Sequence, residues 1–224
     1  MSTSHPEPPQ ELRSDLELDP ADWQARQVYF LMTGLVIPRP IAWISSLGAD
    51  GVRNLAPHSY FQVVSNDPPH VIFSSSGEKD TLRNVRATGE FVVNMTTQDV
   101  LEPMNATAAD LPAGEDEFSW FGVEAAPAAV VAPPRVAAAK AHLECRMVHE
   151  LPVGNGNLVV AEVVHVHVAA EVWRDGRVDP QLLDPVLRLA GTGYATLGEV
   201  FKLPRPMWDQ VRDAGPDERI PRRD

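Results

Sequence analysis

Polar side chains that can hold a phosphate group recur at the ends of the predicted strands in the first half of the chain. The hydroxyls, amide and ammonium groups concerned belong to Ser45, Ser46, Asn54, Ser59, Ser74, Ser75, Ser76, Lys79 and Thr81. Hairpin connections would gather these strand ends at one rim of an antiparallel structure. Hydroxyls, one lysine and the free N–H groups of a helix that begins near Thr81 are what a phosphate monoester requires. Each serine-rich turn alone is most often a solvated loop, but their joint placement around one helix start predicts a phosphate site.

Several other kinds of site lack the residues that they need. Neither standard glycine-rich phosphate loop is present, so the sequence supports no Rossmann dinucleotide site and no P-loop. The Gly-x-Ser-x-Gly elbow of a Ser/His/Asp hydrolase is also missing. The single cysteine, Cys145, excludes an intrachain disulfide and a cysteine-based zinc site. Its place in the middle of a predicted strand indicates a small buried residue.

The pattern of apolar residues predicts short strands with a few helices between them. Strands are predicted at Ile41–Ser46, Val52–Tyr60 continuing through Phe61–Val64, Val71–Ser75, Phe91–Met95, Ala141–Val148 and Leu158–Val168, with a hairpin at Val172–Val178. Helices are predicted from Asp19-Pro20 to Gly34, over Thr81–Thr88 ending at Gly89, and near Gln98–Asn105. No strand is followed regularly by a long helix, which disfavours a parallel α/β sheet. We expect one antiparallel β-barrel domain at 19–206, between a flexible tail at 1–18 and a C-terminal tail at 207–224.

Charge and composition narrow the class of protein further. The chain has 31 acidic and 19 basic side chains, a net charge of −12 that would repel a nucleic-acid backbone, so no nucleic-acid partner is expected. Hydrophobic residues at 44% and charged residues at 22% match ordinary globular proteins and exclude global disorder. No run of about 18 apolar residues predicts a membrane span, and no signal peptide is visible. We therefore expect a cytoplasmic protein.

Three motifs carry a resemblance to a known family. They are Pro-Arg-Pro-Ile-Ala-Trp at 38–43, Asn-Leu-Ala-Pro-x-Ser at 54–59 and Lys-Asp-Thr at 79–81. At these separations they resemble the flavin reductase-like, FMN-binding split-barrel family, and in particular its flavoredoxin-type branch. The resemblance covers about residues 20–206. It implies a mainly β fold, an antiparallel split β-barrel with a few peripheral helices.

The resemblance also implies a flavin mononucleotide (FMN) held at a homodimer interface. The isoalloxazine ring would be lined by Asn54, Leu55, Ala56 and Pro57, with Ser59 nearby. The ribityl chain or the phosphate would lie by Ser45, Ser46, Ser74 and Ser75. The phosphate would be held by Lys79 and Thr81, with Arg39 as a further positive charge. Because the hydride chemistry belongs to the cofactor, no side chain is assigned as a catalytic acid or base.

A flavin-dependent reductase is the function that the resemblance favours. It would take hydride from NADH or NADPH and pass electrons to a small-molecule or protein acceptor, free flavin included. The leading alternative is a non-catalytic FMN electron carrier of the flavoredoxin type. A barrel that holds another ligand, such as haem, is a third interpretation, which the phosphate-binding residues disfavour. The sequence does not decide between NADH and NADPH, or between flavin as prosthetic group and flavin as substrate.

Two further side chains have alternative interpretations. His58 stands where this branch often has an aromatic residue, and it either tunes the flavin and substrate access or faces solvent. Tyr194 lies in a segment that resembles the family's dimer-contacting tail. Its ring either covers the flavin of a partner subunit or packs within its own chain.

Two polar clusters are interpreted as exposed positions rather than as sites. His165 and His167 alternate on one face of a predicted strand, with His142 and His149 nearby in the sequence. With no carboxylate or cysteine at matching spacing, they are interpreted as exposed positions of an edge strand, and no metal site is expected. The run Glu115-Asp116-Glu117 is interpreted as a solvated acidic loop.

Overall fold

A seven-stranded antiparallel sheet is the main element of the computed structural model, which describes residues 15–212. In chain order its strands are β1 Ala42–Leu47, β2 Arg53–His58, β3 Phe61–Asn66, β4 Pro69–Ser76, β5 Glu90–Met95, β6 Ala141–Val153 and β7 Gly156–Val168. Their order in the sheet is β2-β1-β5-β6-β7-β4-β3, and all neighbouring pairs are antiparallel. The predicted mainly β, antiparallel class is confirmed. Because β2 and β3 are the two outer strands, the barrel is split between them.

Short helices and two-residue strands surround the sheet. The helices are α1 Ala25–Leu35, α2 Asp80–Thr88, α3 Leu101–Ala106, α4 Glu117–Trp120, α5 Pro180–Leu183 and α6 Trp208–Val211, with 3-10 turns at Pro20–Asp22, Gln98–Val100 and Ala170–Val172. The two-residue strands pair as Arg39–Pro40 with Leu187–Arg188, Leu187–Arg188 with Tyr194–Ala195, Ala125–Ala126 with Arg135–Val136, and Trp173–Arg174 with Arg177–Val178. Between residues 15 and 212, no helix is both long enough and apolar enough to cross a membrane.

The predicted bounds of the first helix are wrong at both ends. The Asp19 side chain caps a single 3-10 turn, and α1 begins later, at Ala25. The backbone N–H of Gln24 is satisfied there by the Gln27 side chain, 3.0 Å away, which is the geometry of a capping box. The helix continues through Gly34 for one more residue, because a glycine within a helix is a small cost that neighbouring contacts can offset.

The stretch from 52 to 64, predicted as one continuing strand, belongs to two strands, β2 and β3. β2 and β3 are separated by two residues and lie at opposite edges of the sheet, β2 beside β1 and β3 beside β4. Apolar periodicity is the same on both sides of the break, so the sequence pattern does not reveal it. The break matters for function because Ser59 and Tyr60, which form it, lie where the barrel is split.

The predicted tails fall largely outside the described residues. Residues 1–14 and 213–224 are among those for which no structure is described here, so the predicted flexibility of the two ends is not tested. Within 207–212, the short helix α6 occupies Trp208–Val211.

Two apolar clusters pack on opposite faces of the sheet. One contains Ile44, Phe73 and Leu82 and lies between the sheet and α2. The other contains Trp43 and Phe118 and lies under α3 and α4. β1 therefore buries neighbouring side chains on both faces, which explains why its sequence is apolar throughout rather than alternating.

A proline-rich segment at 127–136 covers one face of β6 and is held by buried polar groups. The Glu144 carboxylate accepts backbone N–H groups from Ala129 at 2.6 Å, Val130 at 2.7 Å and Val131 at 3.2 Å. The Val136 N–H donates to the Asn94 side chain at 2.7 Å. A segment that is largely without regular structure can lie against the sheet because these groups satisfy its backbone donors.

The interpretation of His165 and His167 as edge-strand positions is wrong. Both lie on β7, which is an inner strand between β6 and β4. The sequence pattern also indicated no carboxylate near these histidines. The structure provides one, because Glu144 on β6 is the direct cross-strand partner of His165. Sequence spacing could not show this, since the two residues are brought together by strand register.

Candidate functional site

The end of β2 and the start of α2 meet through buried polar side chains. The Asn54 amide donates to the Thr81 hydroxyl at 3.0 Å, and Nε2 of His58 lies 3.3 Å from the same oxygen. Thr81 is 1% exposed and Asn54 5% exposed, so this network is shielded from solvent. The Thr81 hydroxyl is thus already engaged within the protein. It fixes the first turn of α2 to the sheet.

Lys79 precedes α2 as its N-cap residue, with an extended backbone at φ −106° and ψ 168°. Its ammonium lies 3.3 Å from Asp110 Oδ1, and both side chains are largely exposed. The first N–H groups of the nine-residue helix have no intrahelical acceptor and point the same way as the positive end of the helix dipole. The strand-to-helix junction therefore combines the exposed charge of Lys79 with backbone donors that the helix itself does not use.

Serine hydroxyls from the end of β4 lie beside this junction. A cavity of about 170 Å³ is lined by Tyr29, His58, Ser59, Tyr60, Ser74, Ser75, Ser76 and Lys79. The predicted grouping of Ser59, Ser74 and Ser75 with Lys79 is thus present in the structure. The Ser75 hydroxyl is buried and donates to the Gly77 carbonyl at 3.2 Å. Within the part of the chain that the structure describes, the hydroxyls of Ser74 and Ser76 make no hydrogen bond. Ser74 is half-buried and Ser76 is exposed.

A second cavity of about 230 Å³ lies on the other side of Lys79. Its walls are Asn54, Ala56, His58, Glu78, Lys79, Asp80, Thr81, Thr107, Ala108, Ala109, Asp110, Leu111 and Glu117. Alternate residues of β2 line it, because side chains two apart on a strand share a face. The intervening Leu55 points the other way into the core and is fully buried, and its N–H donates to Glu117 at 2.9 Å.

Glu117 corrects the interpretation of residues 115–117 as a solvated run. It is 6% exposed, and burial raises the pKa of its carboxyl group, with the nearby Asp116 acting in the same direction. Asp116 instead caps α4 and pairs with Arg53. Only Glu115 of the three acidic residues is exposed as predicted. A buried glutamate in an acidic run carries no local sequence signal, since its partner is a strand 62 residues earlier.

Five predicted site residues line neither of the two cavities around Lys79, namely Leu55, Pro57, Ser45, Ser46 and Arg39. Ser45 is fully buried and donates to the Pro134 carbonyl at 2.5 Å. Ser46 is also buried and accepts from Asn84 at 3.2 Å. Arg39 is 7% exposed and its guanidinium donates to the carbonyls of Thr33, Val36 and Leu189.

Two more cavities meet at Ser59. One, of about 120 Å³, is lined by Ile41, Pro57, Ser59, Met104, Asn105, Ala108, Arg188 and Tyr194. The other, of about 530 Å³, is mainly apolar and lies between α1 and β3, with Arg39, Ser59 and Ser74 among its walls. Ser59 lines these two cavities and the cavity of about 170 Å³, and His58 lines that one and the cavity of about 230 Å³. All four cavities therefore lie around the end of β2.

Tyr194 packs within its own chain in this structure. Its hydroxyl donates to Asn105 at 2.8 Å, and the Arg188 guanidinium stacks 4.5 Å from its ring centroid. The ring is half-buried and forms a wall of the cavity of about 120 Å³. Cys145 is fully buried as predicted, and burial raises the pKa of its thiol, which removes it from thiolate chemistry.

His58 is half-buried at the end of β2. The interpretation of His58 as a solvent-facing loop residue is therefore wrong. The ring of His58 lies 5.0 Å from that of Phe73. Burial, together with the charge of Lys79, lowers its pKa to about 4, against an opposing hydrogen bond to the Ser74 backbone. The imidazole is therefore neutral at physiological pH and adds no charge beside Lys79.

The low pKa of His58 gives a testable pH dependence of stability. The unfolded histidine titrates near 6.5 and the folded one near 4, so the folded chain binds fewer protons between these values. The free energy of unfolding must then fall as the pH is lowered from 6.5 to 4. His142, whose pKa burial also lowers to about 4, acts in the same direction. We expect a smaller fall in His58→Phe than in the wild type, measured by urea denaturation at pH 7, 6 and 5. Equal pH dependences in the two proteins would contradict the shift at His58.

The antiparallel sheet, which is open between its outer strands β2 and β3, defines the class of this protein as a split barrel. Residues 33–184 match the family described as flavin reductase like domain. The chain belongs to this flavin reductase-like family.

Individual relatives agree with this assignment. An uncharacterized protein of Halalkalibacterium halodurans is 34% identical over 209 residues, which are 88% of this chain and all of that protein. The crystal structure of nitrilotriacetate monooxygenase component B from Bacillus cereus is 36% identical with a TM-score of 0.83, covering 85% of this chain and 99% of its own. The 2-nitrobenzoate 2-nitroreductase NbaA of Pseudomonas fluorescens is 29% identical with a TM-score of 0.80, covering 86% and 98%. The chain is thus similar to redox proteins over almost its whole described length.

Proposed function

We propose that this protein is an FMN-dependent oxidoreductase that accepts hydride from NADH or NADPH and passes the electrons to a small-molecule or protein acceptor. The observation that carries the proposal is the grouping of Lys79, Ser74 and the N-terminus of α2 around two cavities that share Lys79 and His58 as walls. A monophosphate needs a cation and several donors, and all of these lie within one strand-to-helix connection.

The residues around the cavities fit the parts of an FMN molecule. The phosphate would be held by Lys79, the hydroxyls of Ser74 and Ser76 and the N–H groups of the first turn of α2, while the buried Ser75 hydroxyl stays on the Gly77 carbonyl. Thr81 would contribute its N–H, because its hydroxyl is engaged by Asn54 and His58. The isoalloxazine ring would lie against Asn54, Ala56, Pro57, His58 and Ser59. The buried Ser45, Ser46, Leu55 and Arg39 would act indirectly, by fixing the strands and α1 that form the walls.

Hydride acceptance is chemistry that bound FMN supplies, and the protein contributes binding, orientation and exclusion of water. The neutral His58 leaves Lys79 as the positive charge for the phosphate within the cavity that they share. Asp110 pairs with Lys79 at the surface, and a phosphate would take over this contact. Because Asp110 is almost fully exposed, releasing it costs little.

We also propose that a second copy of the chain completes the site. The exposed side chains of Tyr29, Phe30 and Met32 on α1 face solvent, as do Val63 and Val64 on the outer strand β3. The apolar cavity of about 530 Å³ lies between these two elements. An outer strand and a neighbouring helix that both expose apolar side chains are features of a protein–protein interface. A homodimer would cover them and close the cavities from the outside.

The proposed activity is tested by the visible absorption of the purified protein with FMN under anaerobic conditions. We expect a flavin spectrum that bleaches when NADH or NADPH is added, at a rate above that of free FMN with the same nicotinamide. Bound flavin that does not bleach would contradict the reductase and favour an FMN electron carrier. A protein that binds no FMN, or binds FAD much more tightly, would contradict the cofactor assignment.

A further inference from the structure

Four titratable side chains form a cluster on one face of β6 and β7, away from the cavities around Lys79. His142 and Glu144 lie on β6, and His165 and His167 lie opposite them on β7. The paired residues are His165 with Glu144 and His167 with His142. Direct partners in antiparallel strands project to the same face, so the four side chains form a two-by-two array.

Three members of this array offer ligand atoms within reach of one ion. The coordinating atoms of Glu144, His165 and His167 all lie within 4.8 Å of one another. Nε2 of His167 is 2.5 Å from Oε1 of Glu144, and the rings of His165 and His167 are 4.8 Å apart. Ions bound at about 2.0–2.2 Å by imidazole and carboxylate hold their ligand atoms roughly 3–3.6 Å apart. Reaching that spacing requires the two imidazoles to turn, and His165, which is exposed, and His167, which is 24% exposed, are not enclosed by the core.

Glu144 is held in position by groups other than the histidines. It is fully buried, and the N–H groups of Ala129, Val130 and Val131 fix its carboxylate. The remaining hydrogen bond, from His167, lies on the side that faces the histidine pair. A metal ion can take the place of that hydrogen on Nε2, which leaves Nδ1 of the ring to carry the N–H. Such outer hydrogen bonds orient a ligand carboxylate and strengthen its hold on the ion.

His142 is engaged elsewhere and is not counted as a ligand. It is 3% exposed, and its Nε2 lies 2.8 Å from the Val136 carbonyl, while Nδ1 lies 3.4 Å from Arg135. Its ring packs edge-on against that of His167, with centroids 5.9 Å apart. His142 therefore restricts the position of His167 rather than binding an ion.

We propose that Glu144, His165 and His167 bind one divalent transition-metal ion of the zinc type, with water in the remaining positions. Two imidazoles and one carboxylate are a ligand set that suits such ions, and the exposed His165 provides access from solvent. Through Glu144 the ion links the β6–β7 pair to the proline-rich segment at 127–136. The site is separate from the proposed flavin site, and its residues line none of the cavities described above.

The proposal is tested by titrating the chelator-treated full-length protein with Zn²⁺ in a calorimeter. We expect one tight Zn²⁺ per chain in the wild type and a loss of affinity of at least about tenfold in His165→Ala, since even indirect contacts to a metal ligand are worth 10–100-fold. His149→Ala removes another exposed histidine of β6 and serves as the matched control, with unchanged affinity expected. Circular dichroism of His165→Ala should match the wild type, because the side chain is exposed.

Two results would overturn the site. One is a wild type that binds no Zn²⁺ at one ion per chain. The other is equal affinity in the wild type and His165→Ala, which would mean that any ion is bound elsewhere. Cobalt(II) gives a second readout, because its visible spectrum reports imidazole and carboxylate coordination and should disappear in the His165→Ala, His167→Ala double variant.

Discussion

Replacing Lys79 with alanine is expected to weaken the binding of FMN by about 10- to 100-fold, because a hydrogen bond to a charged group is worth about 1.5–3 kcal/mol. Lys79 is the ammonium group that both cavities at the end of β2 share. The hydroxyls and helix N–H groups would remain in the variant, so binding should be weakened rather than abolished. Quenching of flavin fluorescence during titration measures the dissociation constant directly.

The phosphate assignment predicts which ligands and variants are not affected. Riboflavin lacks the phosphate, so its affinity should be nearly the same in the wild type and in Lys79→Ala. Lys140→Ala is the matched control, since Lys140 pairs with Asp99 and lines none of these cavities. Asp110→Ala is expected to strengthen FMN binding only slightly, because the exposed carboxylate that it removes competes weakly for Lys79. Equal losses for FMN and riboflavin in Lys79→Ala would show that Lys79 acts on the ring or on the fold instead.

The main elements of the fold are readable from the sequence where local patterns are strong. The helix that ends at Gly89 is one case, because this glycine adopts φ 74° as its C-cap, a conformation that favours glycine. The hairpin between β6 and β7 is another, although both strands extend further than predicted. The break between β2 and β3 was not predicted, because the two strands part to opposite edges of the sheet and nothing in the local pattern records that.

The candidate site is partly readable for a similar reason. Strand ends rich in serine, and a lysine before a helix, are local features, and the structure brings Ser59, Ser74 and Ser75 together with Lys79. The local sequence does not show which face of a strand lines a cavity. Asn54 and Ala56 line one, whereas the side chain of Leu55 between them points to the other face of β2 and packs in the core.

Long-range partners are the part that sequence reasoning missed. Asp110 reaches Lys79 from a loop 31 residues later, and Glu117 reaches the Leu55 N–H across 62 residues. The cluster at Glu144 depends on the register of two long strands, which shifts twice along their length. A register shift of one residue would send these side chains to opposite faces, so spacing alone could not predict their meeting.

Glu144→Ala is expected to lower the free energy of unfolding by about 3–5 kcal/mol, because removing one partner of a buried charged network leaves the others unpaired. Three backbone N–H groups of the proline-rich segment would lose their acceptor, and that segment covers a face of β6. Urea denaturation at pH 7 in the presence of EDTA measures the change without any contribution from bound metal. Glu144→Gln keeps one acceptor oxygen and should lose less.

A second glutamate of β6, near the surface, serves as a control. It shows whether the loss of stability in Glu144→Ala comes from the burial of the carboxylate or from its charge alone. Glu150 on β6 pairs with Arg86 at the surface, so Glu150→Ala should cost less than about 1 kcal/mol. If Glu144→Ala were as stable as Glu150→Ala, water would replace the carboxylate without a cost in stability. That result would contradict the inference that Glu144 holds the proline-rich segment at 127–136 against β6.

The pH dependence of Glu144 distinguishes its contribution from that of the histidines. Hydrogen bonds from the Ala129 and Val130 N–H groups and from His167 outweigh the effect of burial and lower the pKa of Glu144 to about 2. The unfolded carboxyl titrates near 4.5, so its stabilisation is complete above that pH and is lost as the pH falls from 4.5 towards 2. His58 and His142 act mainly between pH 6.5 and 4. Wild type and Glu144→Ala should therefore lose stability in parallel down to about pH 5 and converge below it, because only the wild type has this carboxylate left to protonate.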